Sequence, residues 1–479
     1  MSTIAKALGA AGSHPYRYGA ITVALALAIW VTWQAQSLGK TLTIVASDLV
    51  CTQFFAAQQP EQQVVGRELP LLLNLDFLPR LEIDHANESV VATVAGLIAT
   101  TSKHRPGYGC ATFDDLAPEL PQYVSQLDAT RPPWDVVTEG YPAVQAAVAD
   151  RFRQYGESNT DNAVNLRALI VMHRGKIVAE QYDAPFDVDM RQASFSMAKS
   201  VNATLFALAD GLGLIDLDAP ARVPEWKADN PRARITNRHL IDMVSGLDYR
   251  EDYSPTGDTV ALMTARDRGA YIVNHALVAE PGQRWLYSDA DSNTASRSLR
   301  LGLAEHGMTT VGFAEKYLFG PIGANSVVLG HDQSGSFVGS SLVYATPRDW
   351  AKLGQLYLQG GVWDGRRIVP EAFVAKLQEP VPTSKGQYRQ GMWLNYGKRY
   401  GEDSRAMNLP EDAFYFGGYL GQFVVIVPSS EIVIVRLGAS RGEDGGNFYN
   451  EAQAFIEALH DLALSNAALA RRMAVSSLE

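Results

Sequence analysis

The order of patterns along the chain predicts an α/β fold of the α+β type. Its antiparallel sheet is formed from both ends of one large region and flanked by helices, with a helical insertion domain between. Three observations carry this. Apolar β-like runs stand far apart, in LRALIVMHRGKIVAEQY (166–182) and FGGYLGQFVVIVPSSEIVIVRLGAS (416–440). The stretch between them, roughly 195–410, has largely helical patterning punctuated by Gly and Pro. Segments with helical apolar spacing, 141–156 and 449–464, bracket the whole. Strands first and last with helices between imply that the two ends pair into one sheet.

Each element follows from a local signal. In YRYGAITVALALAIWVTWQAQ (16–36) no charge falls between Gly19 and Ala35, and Lys6 and Arg17 precede it. A basic flank before an uncharged run is the pattern of an export signal. The run is short for a span, which needs about 20 residues, so a buried core helix is the alternative. Trp33 stands where cleavage prefers a small residue, and Trp30 with Trp33 suits an interfacial belt. Residues 1–36 are therefore expected to be a cytoplasmic tail and a membrane anchor, or a cleaved signal. The catalytic domain then lies outside the cytoplasm, held at the inner membrane or free in the periplasm. Residues 37–130 are expected to form an accessory segment, with TLTIVASDLVCTQFFAA helical and short β-like runs before Cys110. LPQYVSQLDATRPPWDV (120–136), with paired prolines, suggests a linker. The main domain is expected over 131–465 and a C-terminal tail over 466–479. Within the main domain, 166–182 is a hairpin turning at Arg174-Gly175, and 416–440 a second one split by Pro428-Ser429-Ser430.

The chain has 479 residues, 47% of apolar types and 19% charged, enough to bury a large core. Its formal net charge of −11 argues against a nucleic-acid partner. The nine His are scattered without metal-ligand spacing, so no metal or other cofactor is expected. Cys51 and Cys110 are the two cysteines; in an exported chain an even count suggests a disulfide, with two free thiols as the alternative. The oligomeric state is not legible.

Three motifs carry chemistry. In SFSMAKS (194–200), Ser196 stands three residues before Lys199 at the start of a helical pattern, which places both on one face. If Ser196 opens the helix, the backbone N–H groups of the first turn are unsatisfied, and one of them can receive an oxyanion. A lysine in a partly dry cleft has its charged form disfavoured and can take the serine proton. An N-cap serine with an exposed lysine is the bland alternative. In EPGQRWLYSDADSN (280–293), Tyr287 can relay a proton to a leaving group; an ordinary core aromatic is its alternative. In FGGYLGQF (416–423), Gly417, Gly418 and Gly421 let backbone approach a substrate, and the N–H of Tyr419 is a second oxyanion donor; a simple β-turn is the alternative.

Together and in this order, the motifs resemble the serine β-lactamase and penicillin-recognising superfamily, in its class C-like branch of esterases, D-amino-acid peptidases and 6-aminohexanoate-dimer hydrolases. ITNRHLIDMVSGLDYREDY (235–253) and GSSLVYATPRDWAKLGQLYLQGG (339–361) extend the resemblance, and LVCTQFFAAQ and RPGYGCATF, with the two cysteines, are similar to pieces preceding the catalytic domain in some dimer-hydrolase relatives. The resemblance implies a β-lactamase/transpeptidase-like fold, Ser196 as nucleophile, Lys199 as its base partner, Tyr287 as second acid/base, and the N–H groups of Ser196 and Tyr419 as oxyanion donors. Tyr253, Asp289 and Gly418 are candidate substrate contacts. The chain departs from the pattern twice. Phe416 stands where many members carry Lys or His, a cation that helps receive a carboxylate. The second motif ends in Asp289 rather than Asn or Ser, and an acid beside Lys199 would hold it protonated. The expected function is hydrolysis of a small ester or amide through an acyl-enzyme. The alternatives are a β-lactamase or D,D-peptidase, and a penicillin-binding-type sensor or scaffold that acylates slowly.

Overall fold

The computed structural model describes residues 35–70, 79–112, 120–121, 123–127, 134–158, 165–254, 257–403, 409–440 and 452–459. Among these no helix is long and apolar enough to cross a membrane. The uncharged run at 19–35, apart from its last residue, lies outside them, as does the tail from 466 onward.

The accessory segment begins with a helix over 35–51 that runs on into a wider turn, Thr52–Ala56. Four strands follow: β1 (Arg80–Asp84), β2 (Ser89–Val94), β3 (Ile98–Arg105) and β4 (Gly109–Thr112), paired antiparallel in chain order. The helix is stapled to β3 by two hydroxyl pairs, Thr43 with Thr100 at 2.7 Å and Ser47 with Ser102 at 2.9 Å. The match is geometric. Four residues of helix rise about 6 Å and two of strand about 6.6 Å, so partners stay level. A disulfide joins Cys51 to Cys110 on β4, with 5.9 Å between their Cα atoms.

The main sheet is built as the pattern predicts. Helix α1 (Pro142–Ser158) precedes β5 (Leu166–His173) and β6 (Lys176–Tyr182). Their turn places Arg174 and Gly175 at φ of 50° and 76°, the double positive φ that a tight hairpin turn requires. Next come β7 (Gln192–Ala193), α2 (Ala198–Gly211), α3 (Asp289–Ala304), β8 (Val343–Ala345) and α4 (Pro347–Leu358). Strands β9 (Tyr388–Arg389), β10 (Met392–Leu394), β11 (Phe414–Gly418), β12 (Gln422–Val427) and β13 (Ile432–Gly438) complete it. The order is β9-β10-β11-β12-β13-β5-β6, antiparallel throughout, and Val435 pairs with Ile170 where the two chain ends meet. Both faces are covered, which explains why these strands are continuous apolar runs. Ile170, Val424 and Val433 face the core with α2 and α4, while Val171, Val425 and Ile434 face Val144 and Val148 of α1 and Phe455 of the helix over 452–459. Ile434 is wholly buried, so truncating it to Ala would cost about 2–5 kcal/mol. Gly354 brings α4 onto the sheet, because a Cβ there would lie 2.5 Å from Val433.

Three short strands, β8, β9 and β10, fall within the largely helical middle stretch. Runs of two or three residues are too short to leave a periodic signal. The described part of the expected linker is tied down, with the Tyr123 hydroxyl donating to Glu315 at 2.7 Å and the Gln126 amide at 2.8 Å. The accessory segment itself is docked on the rest, through Arg105 donating to the carbonyls of His331 and Asp332 and through the buried Arg167–Glu68 pair at 2.6 Å.

Candidate active site

The turn carrying Ser196 is held from behind. Strand β7 pairs with β8, and the next residue, Ser194, continues the clamp. Its N–H donates to the Val343 carbonyl at 2.8 Å, and its hydroxyl receives the Val343 N–H at 3.1 Å. Phe195 then adopts a φ of 45°, a left-handed conformation that a bulky side chain adopts only at a cost of about 1–3 kcal/mol. Ser196 sits in the tight turn Phe195–Met197, and α2 starts at Ala198. The sequence placed Ser196 at the helix start itself; the structure sets it just outside, because the Ala198 N–H bonds back to the carbonyls of Phe195 and Ser196. Lys199 is then in the first turn of α2.

Lys199 is buried, and its ammonium has three N–H donors. All three are used: Ser196 Oγ at 2.9 Å, Asp289 Oδ1 at 2.5 Å and the Ser340 carbonyl at 2.9 Å. Burial is the largest influence and pushes its pKa down, but Asp289, through its charge and its hydrogen bond, outweighs it together with nearby Tyr287 and Glu251, and the pKa is raised. This direction favours the charged form of Lys199 in the resting site. Asp289 reaches it from the first residue of α3, whose N-terminus is capped by Ser288. One turn on, the Asn293 side chain holds Ser340 through the Ser340 hydroxyl (3.1 Å) and its N–H (3.3 Å), which aims the Ser340 carbonyl at Lys199.

Tyr287 completes the group. Its ring stacks on Trp393 at 5.0 Å, with Tyr388 edge-on at 6.0 Å and the Lys199 ammonium 4.8 Å from its centroid. Burial raises its pKa; the nearby Lys199 charge and a hydrogen bond with the Ser196 side chain oppose that. The phenol is therefore protonated at neutral pH, and its ring lies beside the ammonium that donates to Ser196 Oγ.

Strand β11 brings the third motif alongside. A Cβ on Gly418 would lie 2.3 Å from the Ser194 carbonyl, so a residue without a side chain is needed for this approach. Tyr419 is edge-on to Phe195 at 5.8 Å and stacks on Tyr253 at 5.9 Å. Both tyrosines are about half exposed, at 55% and 53%, and form an aromatic wall beside the Ser196 turn. Phe416, by contrast, is buried in the core edge-on to Tyr357, because its position on β11 faces α4. Ser196, Lys199, Tyr287 and Asp289 are thus brought together, with Gly418, Tyr419 and Tyr253 alongside. The sequence reading missed Ser340, Asn293 and Trp393. Asn293 carries a legible signal, standing four residues after Asp289 and so on the same helix face; the other two carry none.

The Beta-lactamase family model matches residues 148–458. A 6-aminohexanoate-dimer hydrolase of Paenarthrobacter ureafaciens is 26% identical over 348 residues, covering 66% of this chain and 81% of that protein. Among solved structures, a Bacillus anthracis protein provisionally assigned as a 6-aminohexanoate-dimer hydrolase superposes with a TM-score of 0.54 at 20% identity, covering 64% of this chain and 82% of its own. A Bacteroides dorei protein provisionally assigned as a beta-lactamase gives 0.51 at 15% identity, over 65% and 98% of the two chains.

Proposed function

The chain belongs to the beta-lactamase family, and from that premise we propose that this hydrolase cleaves small esters or amides through an acyl group carried on Ser196. The observation that supports this most is one buried lysine that donates to the Ser196 hydroxyl and lies against the ring of a buried tyrosine. Lys199 donates to Ser196 Oγ, which leaves the serine proton free to go to a nearby acceptor, and Tyr287 is the group we assign to receive it. As Oγ bonds to the substrate carbonyl carbon, that proton passes to Tyr287, and the proton Tyr287 already holds passes to the leaving oxygen or nitrogen. Tyr287 ends neutral. The carbonyl oxygen, now an oxyanion, is received by the N–H groups of Ser196 and Tyr419. Lys199 stabilises negative charge on Oγ throughout, and Asp289 keeps Lys199 charged. Water reverses the sequence: its proton goes to Tyr287, the phenol proton returns to Oγ, and the carboxylic acid leaves. Tyr253 and Tyr419 form the substrate-facing wall.

The buried Phe416 offers no charge to a substrate carboxylate, which favours linear esters and amides over β-lactams and D,D-peptides. We place the catalytic domain outside the cytoplasm, attached through residues 1–36, on the basic flank and uncharged run of that segment; the Cys51–Cys110 disulfide fits an oxidising compartment. The test is turnover of a short-chain aryl ester, 6-aminohexanoate dimer and a chromogenic cephalosporin by the wild type and Ser196→Ala. Ester or amide turnover that is lost in Ser196→Ala, with little cephalosporin cleavage, is expected. Fast cephalosporin cleavage would overturn the substrate preference. Labelling of Ser196 without turnover would point to a sensor.

A further inference from the structure

Strand β13 reads Ile-Val-Ile-Val-Arg-Leu-Gly, with one charged residue, Arg436, among apolar ones. Its cross-strand partners are Phe423 and Leu169, and it is wholly buried. Burial pushes its pKa down to about 10, which still leaves it charged at neutral pH. Taking a cation out of water is costly, and an apolar side chain of similar volume packs a sheet at least as well. Packing therefore does not account for Arg436. What its donors hold does.

They hold the loop between β11 and β12. Nη1 donates to the Gly421 carbonyl at 2.6 Å, and Nη2 to the Ser440 hydroxyl at 2.7 Å. The Ser440 N–H in turn donates to the Leu420 carbonyl at 2.9 Å. Two successive loop carbonyls are thus anchored, one by the guanidinium and one by the residue it grips. The loop needs anchoring, because Leu420 at a φ of 61° and Gly421 at 81° are both left-handed. A leucine adopts that conformation only where its surroundings impose it. Gly421 is matched to the clamp, since a Cβ there would lie 2.4 Å from Nη1. The residue just before these two is Tyr419, whose ring meets Phe195 of the Ser196 turn. Before it stands Gly418, packed on the Ser194 carbonyl.

We propose that Arg436 is a positioning residue for the hydrolysis: by clamping Gly421 and Ser440 it fixes the 419–421 loop and so sets where the Tyr419 N–H meets the oxyanion. The inference rests on the hydrolase reading above and adds a residue to it. Arg436 is buried and acts through the loop, so its loss weakens the transition state rather than substrate binding. Removing an oxyanion donor outright lowers kcat about 10²–10³-fold. A loosened loop displaces the donor without deleting it, and the fall is smaller.

The test uses the full chain, with active sites counted by stoichiometric labelling of Ser196 with a fluorophosphonate. The kcat per labelled site is measured on an aryl ester and on the matching thionoester, whose sulfur is the weaker acceptor and gains less from the N–H donors. The wild type should prefer the ester at least tenfold. Arg436→Met should lower kcat per site on the ester at least tenfold with KM within threefold, and should narrow the ester-to-thionoester ratio at least threefold. Arg436→Lys, which keeps one donor for the Gly421 carbonyl, should turn over at least threefold faster than Arg436→Met. Ser440→Ala removes the acceptor of Nη2 and keeps the charge. It should move kcat per site and the ratio in the same direction, so the result does not hang on Arg436→Met folding. A merely structural role would lower the number of labelled sites and leave both quantities as in the wild type. Unchanged kcat per site in both Arg436→Met and Ser440→Ala, or a fall shared equally by ester and thionoester, overturns the inference and leaves the hydrolase reading standing. A wild type that turns over neither substrate overturns both.

Discussion

Asp289→Asn separates two roles for Lys199 that the geometry makes opposite in sign. The carboxylate oxygen lies 2.5 Å from the ammonium. At an effective dielectric of about 20, the attraction between unit charges at that distance is about 7 kcal/mol. Asn returns a neutral acceptor at the same place and removes that attraction, so the Lys199 pKa falls. Burial, which already opposes the charge on Lys199, then dominates. The assay is kcat/KM on an aryl ester from pH 6 to 10, with spontaneous hydrolysis subtracted and circular dichroism as the folding control. If Lys199 works as a cation, its deprotonation does not limit the wild type anywhere in this range. Asp289→Asn then loses activity along a single-proton limb as the ammonium deprotonates. Activity of Asp289→Asn that instead rises with pH would refute the reasoning, since it would identify neutral Lys199 as the base.

Other expectations follow from the same geometry. Tyr287→Phe keeps the stacking on Trp393 and removes the relay oxygen; kcat should fall about 10²–10⁴-fold with KM changed little, as steady-state kinetics on the aryl ester would show. The disulfide closes a separation of 59 residues, worth about 4 kcal/mol in the chain-entropy account. Cys51→Ser should therefore lower the thermal midpoint, and dithiothreitol should lower that of the wild type but not of the variant. Burial holds the Asp291 carboxyl up to about 7, despite bonds from Ser245 and Ser288 that favour its charge. The folded chain keeps that proton above the pH where the unfolded chain has lost it, so stability from this group is lost as pH rises from about 4 to 7. Denaturant titrations should show Asp291→Asn losing less stability than the wild type between pH 5 and 8, by up to about 3 kcal/mol.

Much of this molecule was legible before its coordinates. The long sheet strands announced themselves because both of their faces are buried, which leaves runs such as Leu169–Met172 and Ile432–Val435 uninterrupted by polar residues. The joining of 166–182 and 416–440 in one sheet followed from their standing at opposite ends of a largely helical stretch, and 166–173 pairs with 432–438. Ser196, Lys199 and Tyr287 were found by motif and do converge. Asp289 was singled out as a substrate contact and as a possible opponent of a basic Lys199; the structure places it on the ammonium itself. What the sequence hid is what depends on approach between distant segments. Ser340 acts through its carbonyl, and every residue has one. Trp393 matters because β10 lies beside β11, a pairing of two residues on each strand. The accessory sheet gave only scattered β-like runs, since its strands are short, four to eight residues each.

The most direct test of the central claim is the mass of the protein during turnover of a slowly deacylated aryl ester, followed by peptide mapping. The account predicts an added acyl group on the peptide containing Ser196, which forms before steady state, disappears as substrate is exhausted, and never forms in Ser196→Ala. An acyl group on another residue, or turnover that survives Ser196→Ala with no covalent species, would contradict it.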